Sequence, residues 1–225
     1  MKVLVVLAHP EPASFNAAMA AEAVATLREA GHEVGLSDLY RKAFQPVSDR
    51  RNFRSFADPS YFKQQMEERH ATEIDGFAAD IDAEWALLKD CDLMIWQFPL
   101  WWFSLPAILK GWVDRVFAFE RVYGGARGIY ETGLFHGRRA LLSTTTGGPP
   151  SAYAPDGFNG DLDAILRPIQ RGMLQFVGFD VLRPEVVFQP ARLDADQRIE
   201  ALQAWRERLQ AIESEAPVEV GRYRS

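Results

Sequence analysis

The sequence predicts an α/β protein built on a five-stranded parallel sheet with helices on both faces. Three observations lead there. Apolar, β-branched runs alternate five times with amphipathic stretches along the 225 residues, the pattern of repeated β-α units. The runs show little polar alternation, as expected of strands covered on both sides. The stretches between them are long enough for right-handed crossover helices. One domain spanning 1–225 accommodates the whole pattern, with 214–225 as a loose tail.

The first strand is expected over 2–8 (K-V-L-V-V-L-A), followed by a helix from Ser14 to Ala30 that stops at Gly31. A short second strand, His32 to Asp38, leads into a polar, aromatic connection from Tyr40 to His70. It is too long for a turn and is expected to contain some helix of its own. A helix from Glu73 to Lys89 then precedes the third strand at 92–98. The next helix covers 105–119 and gives way to a glycine-rich loop, Tyr123 to Gly133. The fourth strand, Arg139 to Thr145, ends in T-T-T-G-G-P-P. A helix from Asp161 to Phe176, a fifth strand from Val181 to Phe188 and a last helix from Asp194 to Glu213 complete the series.

Composition narrows the function. A net charge of −6 argues against nucleic acid or an anionic membrane surface as the main partner. No apolar run reaches the length of a membrane span and no signal peptide is evident, so a reducing, cytoplasmic setting is expected. Cys91 is the only cysteine, which rules out an internal disulfide, and it reads as a small buried residue. His9, His32, His70 and His136 are too scattered to form a metal set.

Ligands of open α/β sheets bind beyond the carboxyl ends of the strands, where three loops stand out. His9 to Asn16 (H-P-E-P-A-S-F-N) places Ser14 at a helix start, either as an ordinary cap or as part of a phosphate site. Neither G-x-G-x-x-G nor G-x-x-x-x-G-K-S/T occurs nearby, which removes the usual dinucleotide and triphosphate signatures. Pro99 ends an apolar run, and Trp101, Trp102 and Phe103 follow, suiting a packed lid or the wall of a flat-ligand site. In the third loop, Gly147 and Gly148 allow close backbone approach or form a plain turn, beside the hydroxyls of Thr145 and Thr146.

The strings L-A-H-P-E-P-A-S-F-N, Q-F-P-L-W-W-F-S-L-P-A-I-L-K-G-W and T-T-G-G-P-P-S-A-Y-A-P-D-G-F-N-G-D resemble the NAD(P)H:quinone oxidoreductase, or DT-diaphorase, family of flavodoxin-like flavoproteins. The likeness runs from about Lys2 to Arg208. It implies a homodimer with FAD, rather than FMN, at the sheet edge, and two-electron reduction of quinones by NAD(P)H in alternating half-reactions. It also implies that His9, Ser14, Phe15 and Asn16 surround the pyrophosphate and ribose, and that Pro99, Leu100, Trp102 and Phe103 line the isoalloxazine. Thr145, Thr146, Gly147 and Gly148 would hold its polar edge, with Asp114 and Arg198 toward the adenylate end. Tyr153 matches the family's catalytic tyrosine, while Trp102, Phe103, Tyr123, Phe176 and Arg192 would face the quinone, Phe176 from the partner chain.

The pattern is broken where many members have a histidine six residues after that tyrosine. Asn159 stands there and cannot titrate near neutral pH. The branch that uses dihydronicotinamide riboside also has asparagine at this place, so the donor is left open. Arg192 replaces a histidine, and the loop at Tyr123 to Ile129 is richer in glycine than the tyrosine pair it replaces. The extra carboxyl-terminal region of the longer members is absent from this sequence. A second reading is a regulatory subunit of a potassium-efflux system, docking through Arg50, Arg51, Arg54 and Lys63. A one-electron flavodoxin carrier is a third, disfavoured by the covering aromatics.

Overall fold

Four long strands set the frame, three of them nearly continuous buried runs and one, at the sheet edge, partly exposed. In the computed structural model, which describes residues 1–221, these are β1 (Lys2–Leu7), β2 (Glu33–Asp38), β3 (Leu93–Pro99) and β4 (Arg139–Thr146). They pair in parallel in the order β2-β1-β3-β4. The next position, expected as one strand from Val181 to Phe188, is split into β5 (Asp180–Val181) and β6 (Glu185–Phe188). Both pair with β4, and the register slips by one residue between Arg139↔Asp180 and Ser143↔Glu185. Pro184 lies in the gap, where its missing N–H removes a ladder bond.

Strand parity decides which helix each side chain meets. Leu4, Val6, Met94, Trp96, Phe98, Ala140 and Leu142 point to one face, against α4 (Ala107–Val116) and α5 (Leu162–Ile169). Val3, Val5, Leu7, Leu93, Ile95 and Leu141 point to the other, against α1 (Phe15–Glu29) and α6 (Ala195–Gln210). Each such buried aliphatic or aromatic side chain contributes roughly 1.5–3 kcal/mol. The indole N–H of Trp205 on α6 donates to the Met19 carbonyl of α1 at 3.1 Å, which locks these two helices together.

The helix expected from Glu73 to Lys89 begins later, as α3 (Ala79–Leu88), and the helix expected within the connection is α2 (Gln64–Ile74), which runs on past His70. Asp75 ends α2 in the left-handed conformation, with Gly76 after it, a helix stop placed inside an otherwise helical pattern. The long connection before α2 is held by polar bonds to buried groups. The Glu67 carboxylate accepts from the backbone N–H of Ala57 and Asp58 at 2.7 and 3.1 Å. Pro46 lies so close to α4 that a Cβ on Gly111 would sit 2.2 Å from its carbonyl oxygen. Glycine is therefore required there.

The helix expected from Asp161 to Phe176 continues past α5 through a π-turn at Gln170–Leu174 and a 3₁₀ turn at Gln175–Val177. The stretch expected to be loose is anchored at its start. Val218 N–H donates to the Val181 carbonyl at 2.8 Å, and Val220 is buried. Residues 222–225 of that tail lie outside the described residues.

Candidate active site

The carboxyl ends of β1, β3, β4 and β6 open onto one cleft of about 810 Å³. It lies where β1 and β3 are neighbours and the strand order reverses, the switch point at which crossovers leave to opposite faces. His9, Ser14, Phe15, Asn16, Pro99, Leu100, Trp102, Thr145, Thr146, Gly147, Arg192 and Arg198 all line it. Gln189, Pro190, Ala191 and Leu202 line it too and were not expected. The signal for Gln189 is conformational: its φ of 50° turns the chain after β6, which no residue type there announces.

Ser14 caps α1 by accepting from Ala17 N–H at 3.1 Å. The N–H groups of Phe15 and Asn16 find no acceptor among the described residues, so they and the positive end of the helix make a start that suits an anion. His9 Nδ1 lies 3.0 Å from the Glu11 N–H and 3.3 Å from the Glu11 carbonyl, which fixes the ring beside this loop. Asn16, buried beneath, donates to Thr145 Oγ1 at 2.9 Å and accepts from Gln97 Nε2 at 2.8 Å. That triad ties α1, β3 and β4 together under the cleft.

The aromatic loop after β3 is a tight turn. Trp101 and Ser104 exchange backbone hydrogen bonds of 3.2 and 3.0 Å, and Trp102 and Phe103 between them have φ of 52° and 57°. Consecutive left-handed residues make a two-residue turn of the kind Asn-Gly favours. Here the positions hold two bulky aromatics, with Trp102 95% exposed and Phe103 49%. Such strain concentrates at ligand sites.

On the opposite wall the glycine loop is fixed through its carbonyls. Thr146 Oγ1 donates to Gly148 O at 2.9 Å and Gln189 Nε2 to Gly147 O at 3.2 Å. The N–H groups of Gly147 and Gly148 have no acceptor among the described residues. A Cβ on Gly148 would meet the Tyr153 ring at 3.0 Å and the Asn159 amide nitrogen at 3.3 Å, so Gly148, Tyr153 and Asn159 pack as a unit. The Tyr153 ring is largely buried beside Phe188.

Phe103, Gly148, Tyr153 and Asn159, expected at the cofactor or the reaction, are not among the residues that line the cleft, and three more expected residues line a different cavity. Asp114, Tyr123 and Phe176 line a separate cavity of about 210 Å³ and none of them reaches the cleft. Asp114 is paired with Lys110 at 2.6 Å, so within one chain it does not join Arg198. Glu68 also lines this cavity; burial pushes its carboxyl above the usual range, against donation from Phe119 N–H and Gln64. Burial raises Tyr123 as well.

The cleft's donors suit a flat heteroaromatic ring carrying phosphates. Its lining contains His9, Arg192 and Arg198 and no carboxylate, in a chain of net charge −6. The exposed aromatic wall, the unpaired amides of the glycine loop and the open start of α1 fit the ring, its polar edge and an anionic tail in turn. No cluster of potential metal ligands occurs among the described residues, and no helix among them is long and apolar enough to cross a membrane.

Residues 1–211 match the family described as flavodoxin-like fold. The chain is also 42% identical over 222 residues to ribosyldihydronicotinamide dehydrogenase (quinone) of Pongo abelii, an alignment covering 96% of this chain and 94% of that one. The chain belongs to the quinone oxidoreductase family of flavodoxin-like proteins. Within that family, NAD(P)H dehydrogenase (quinone) 1 of Cavia porcellus is 41% identical over 218 residues, 96% of this chain and 79% of that one. A solved structure titled a putative quinone reductase from Klebsiella pneumoniae superposes with a TM-score of 0.91 at 40% identity, over 97% of this chain and 87% of that one.

The likeness to the potassium-efflux ancillary protein KefG of Cronobacter sakazakii is confined to 95 residues, 42% of this chain and 49% of that one. The basic residues that suggested docking are engaged within the chain. Arg51 pairs with Asp49 and Arg54 with Asp82, each at 2.7 Å, and Arg50 stacks over Phe56 and Phe62.

Proposed function

We propose that this protein is a flavin-dependent NAD(P)H:quinone oxidoreductase that holds FAD in the cleft and works as a homodimer. The observation that carries the reading is the carboxylate-free cleft at the switch point, with unpaired amides on both walls. FAD rather than FMN is favoured because the lining extends beyond the start of α1 to Arg198 and Leu202 on α6, leaving room for a second nucleotide. Bound FAD would supply two-electron chemistry, accepting hydride from a reduced nicotinamide and passing it to a quinone in separate half-reactions.

The chain's own groups then have distinct tasks. The Phe15 and Asn16 amides, with Ser14 and His9, hold phosphate and ribose. Pro99, Leu100, Trp102 and Phe103 present the apolar wall. The Gly147 and Gly148 amides and the Tyr153 hydroxyl donate toward the polar edge, where negative charge accumulates during reduction. Asn159 adds a donor that keeps its proton. In a homodimer, Asp114, Tyr123 and Phe176 in the second cavity would face the partner's cleft and complete the acceptor pocket, which accounts for their distance from their own.

The test begins with the purified protein. Release by denaturation should yield one FAD per chain on chromatography, and anaerobic mixing with NADH or NADPH should bleach it before a quinone restores the colour. Sedimentation should give about 51 kDa, twice the 25.4 kDa chain. FMN, no flavin after reconstitution, or a fully active monomer would each refute the corresponding part.

A further inference from the structure

The two kinds of relative differ in the reductant that their names state, ribosyldihydronicotinamide against NAD(P)H, and at 42% and 41% identity the likeness does not choose between them. Their chemistry does differ in one respect. The riboside carries no phosphate, whereas NADH carries a pyrophosphate and NADPH a further phosphate. A site that prefers the dinucleotides needs a cation that is neither neutralised by the protein nor committed to the cofactor.

Arg192 meets the first condition. It lies on a short 3₁₀ turn, Pro190–Arg192, on the cleft wall formed after β6. Its guanidinium makes no ion pair and no hydrogen bond among the described residues, unlike Arg51, Arg54, Arg69, Arg115, Arg121, Arg206 and Arg208, which all pair with carboxylates. No carboxylate lines the cleft to quench it. The turn is well fixed: Gln189 N–H donates to Thr146 O at 2.7 Å, its side chain holds Gly147 O, and Arg198 Nε donates to Pro190 O at 3.1 Å.

The second condition follows from position. Arg198, set on α6 and tied to that turn, and the α1 start would supply charge for the cofactor's phosphates in the reading above. Arg192 is an exposed side chain on the cleft lining, open to a ligand that arrives from solvent. We propose that Arg192 is the phosphate contact that makes this chain prefer a dinucleotide hydride donor to an unphosphorylated nicotinamide riboside. The inference rests on the flavin-dependent reading above and names the donor class of that site.

The test compares Arg192→Gln and Arg192→Lys with the wild-type holoenzyme, using NADH, NADPH and dihydronicotinamide riboside. In Arg192→Gln the ratio of kcat/KM for the dinucleotides over the riboside should fall by roughly ten- to a hundredfold, the range for one lost charge-assisted hydrogen bond. Arg192→Lys should recover part of it, since a point charge replaces a fork. Calorimetric titration with NADP⁺ should show the same weakening without turnover. An equal loss for NADH and NADPH assigns the contact to the pyrophosphate, and a larger loss for NADPH assigns it to the additional phosphate; both support the proposal. A ratio within about twofold of wild type overturns it, as does release of flavin by Arg192→Gln, which would commit the residue to the cofactor. A wild-type protein that holds no flavin would instead bring down the functional reading itself.

Discussion

Trp102→Asn should make the flavin-free protein more stable while weakening its hold on flavin. Trp102 has φ of 52° and is 95% exposed, so its ring gains almost nothing from burial. A left-handed conformation costs an ordinary L-residue about 1–2 kcal/mol, and asparagine meets less of that cost because it adopts this region readily. The net gain is then about 0.5–1.5 kcal/mol, or a rise in Tm of roughly 1–6 °C for a chain of this length. Phe103→Gly is the control. It relieves similar strain at φ 57°, but it gives up a ring that is half covered, so the terms nearly cancel. Urea unfolding of flavin-stripped protein at equal chain concentration measures the first effect, and dialysis against free FAD measures the second. Should Trp102→Asn unfold at lower urea than wild type, the turn is not strained in the way argued. Unchanged flavin retention would remove the aromatic tip from the binding wall.

Other consequences can be checked with single variants or conditions. Asn16→Ala should lower stability by about 2–4 kcal/mol, because it strands the buried Gln97 Nε2 and Thr145 Oγ1; a urea midpoint like that of wild type would deny the triad its role. Tyr153→Phe should slow reduction of the bound flavin by roughly ten- to a thousandfold in single-turnover mixing, and a wild-type rate would dismiss the tyrosine as a donor. Burial pushes the Cys91 thiol up to about 12, so native protein at pH 8 should resist thiol reagents and label fully in urea. Since the folded state holds that proton more tightly, the stability linked to it is present below the ordinary thiol range and is lost as pH rises toward 12. Rapid native labelling at pH 8 would contradict the burial. Finally, added salt should raise KM for NADPH more than for the riboside if local cations capture the donor; a fall would mean that the acidic chain as a whole governs the encounter.

What could be read from the chain depended on how local its cause is. The strand from Leu93 to Pro99 was legible because all seven residues are buried, and such a run has no alternative pairing face. The start of α1 was legible because Ser14 caps it with its own side chain. The α2–α3 break was not: Glu67, Glu68 and Glu84 point inward to meet N–H groups and Lys42, so the polar residues that normally mark a helix's outer face mark its inner one. The split of the fifth strand hinges on Pro184, whose effect shows only once β4 is beside it. In the site, residues from all three strings line one cleft, yet nothing local says that Asp114 and Phe176 line a different cavity from Arg198. That depends on which side of the sheet α4 and the turn after α5 cover.

Charge makes the same point about scale. A net charge of −6 suggests repulsion of anionic ligands, but that repulsion acts over distances at which salt screens it, about 8 Å at physiological ionic strength. Within the cleft the balance is set by groups a few ångströms from the ligand. A single unit charge 4 Å from a phosphate is worth about 4 kcal/mol at an effective dielectric of 20, more than a distant screened carboxylate can oppose. With Arg192, Arg198 and the start of α1 lining the cleft and no carboxylate among the lining residues, the local sign is positive while the chain is acidic. The acidic remainder therefore governs solubility and encounter, and the lining governs which anion stays.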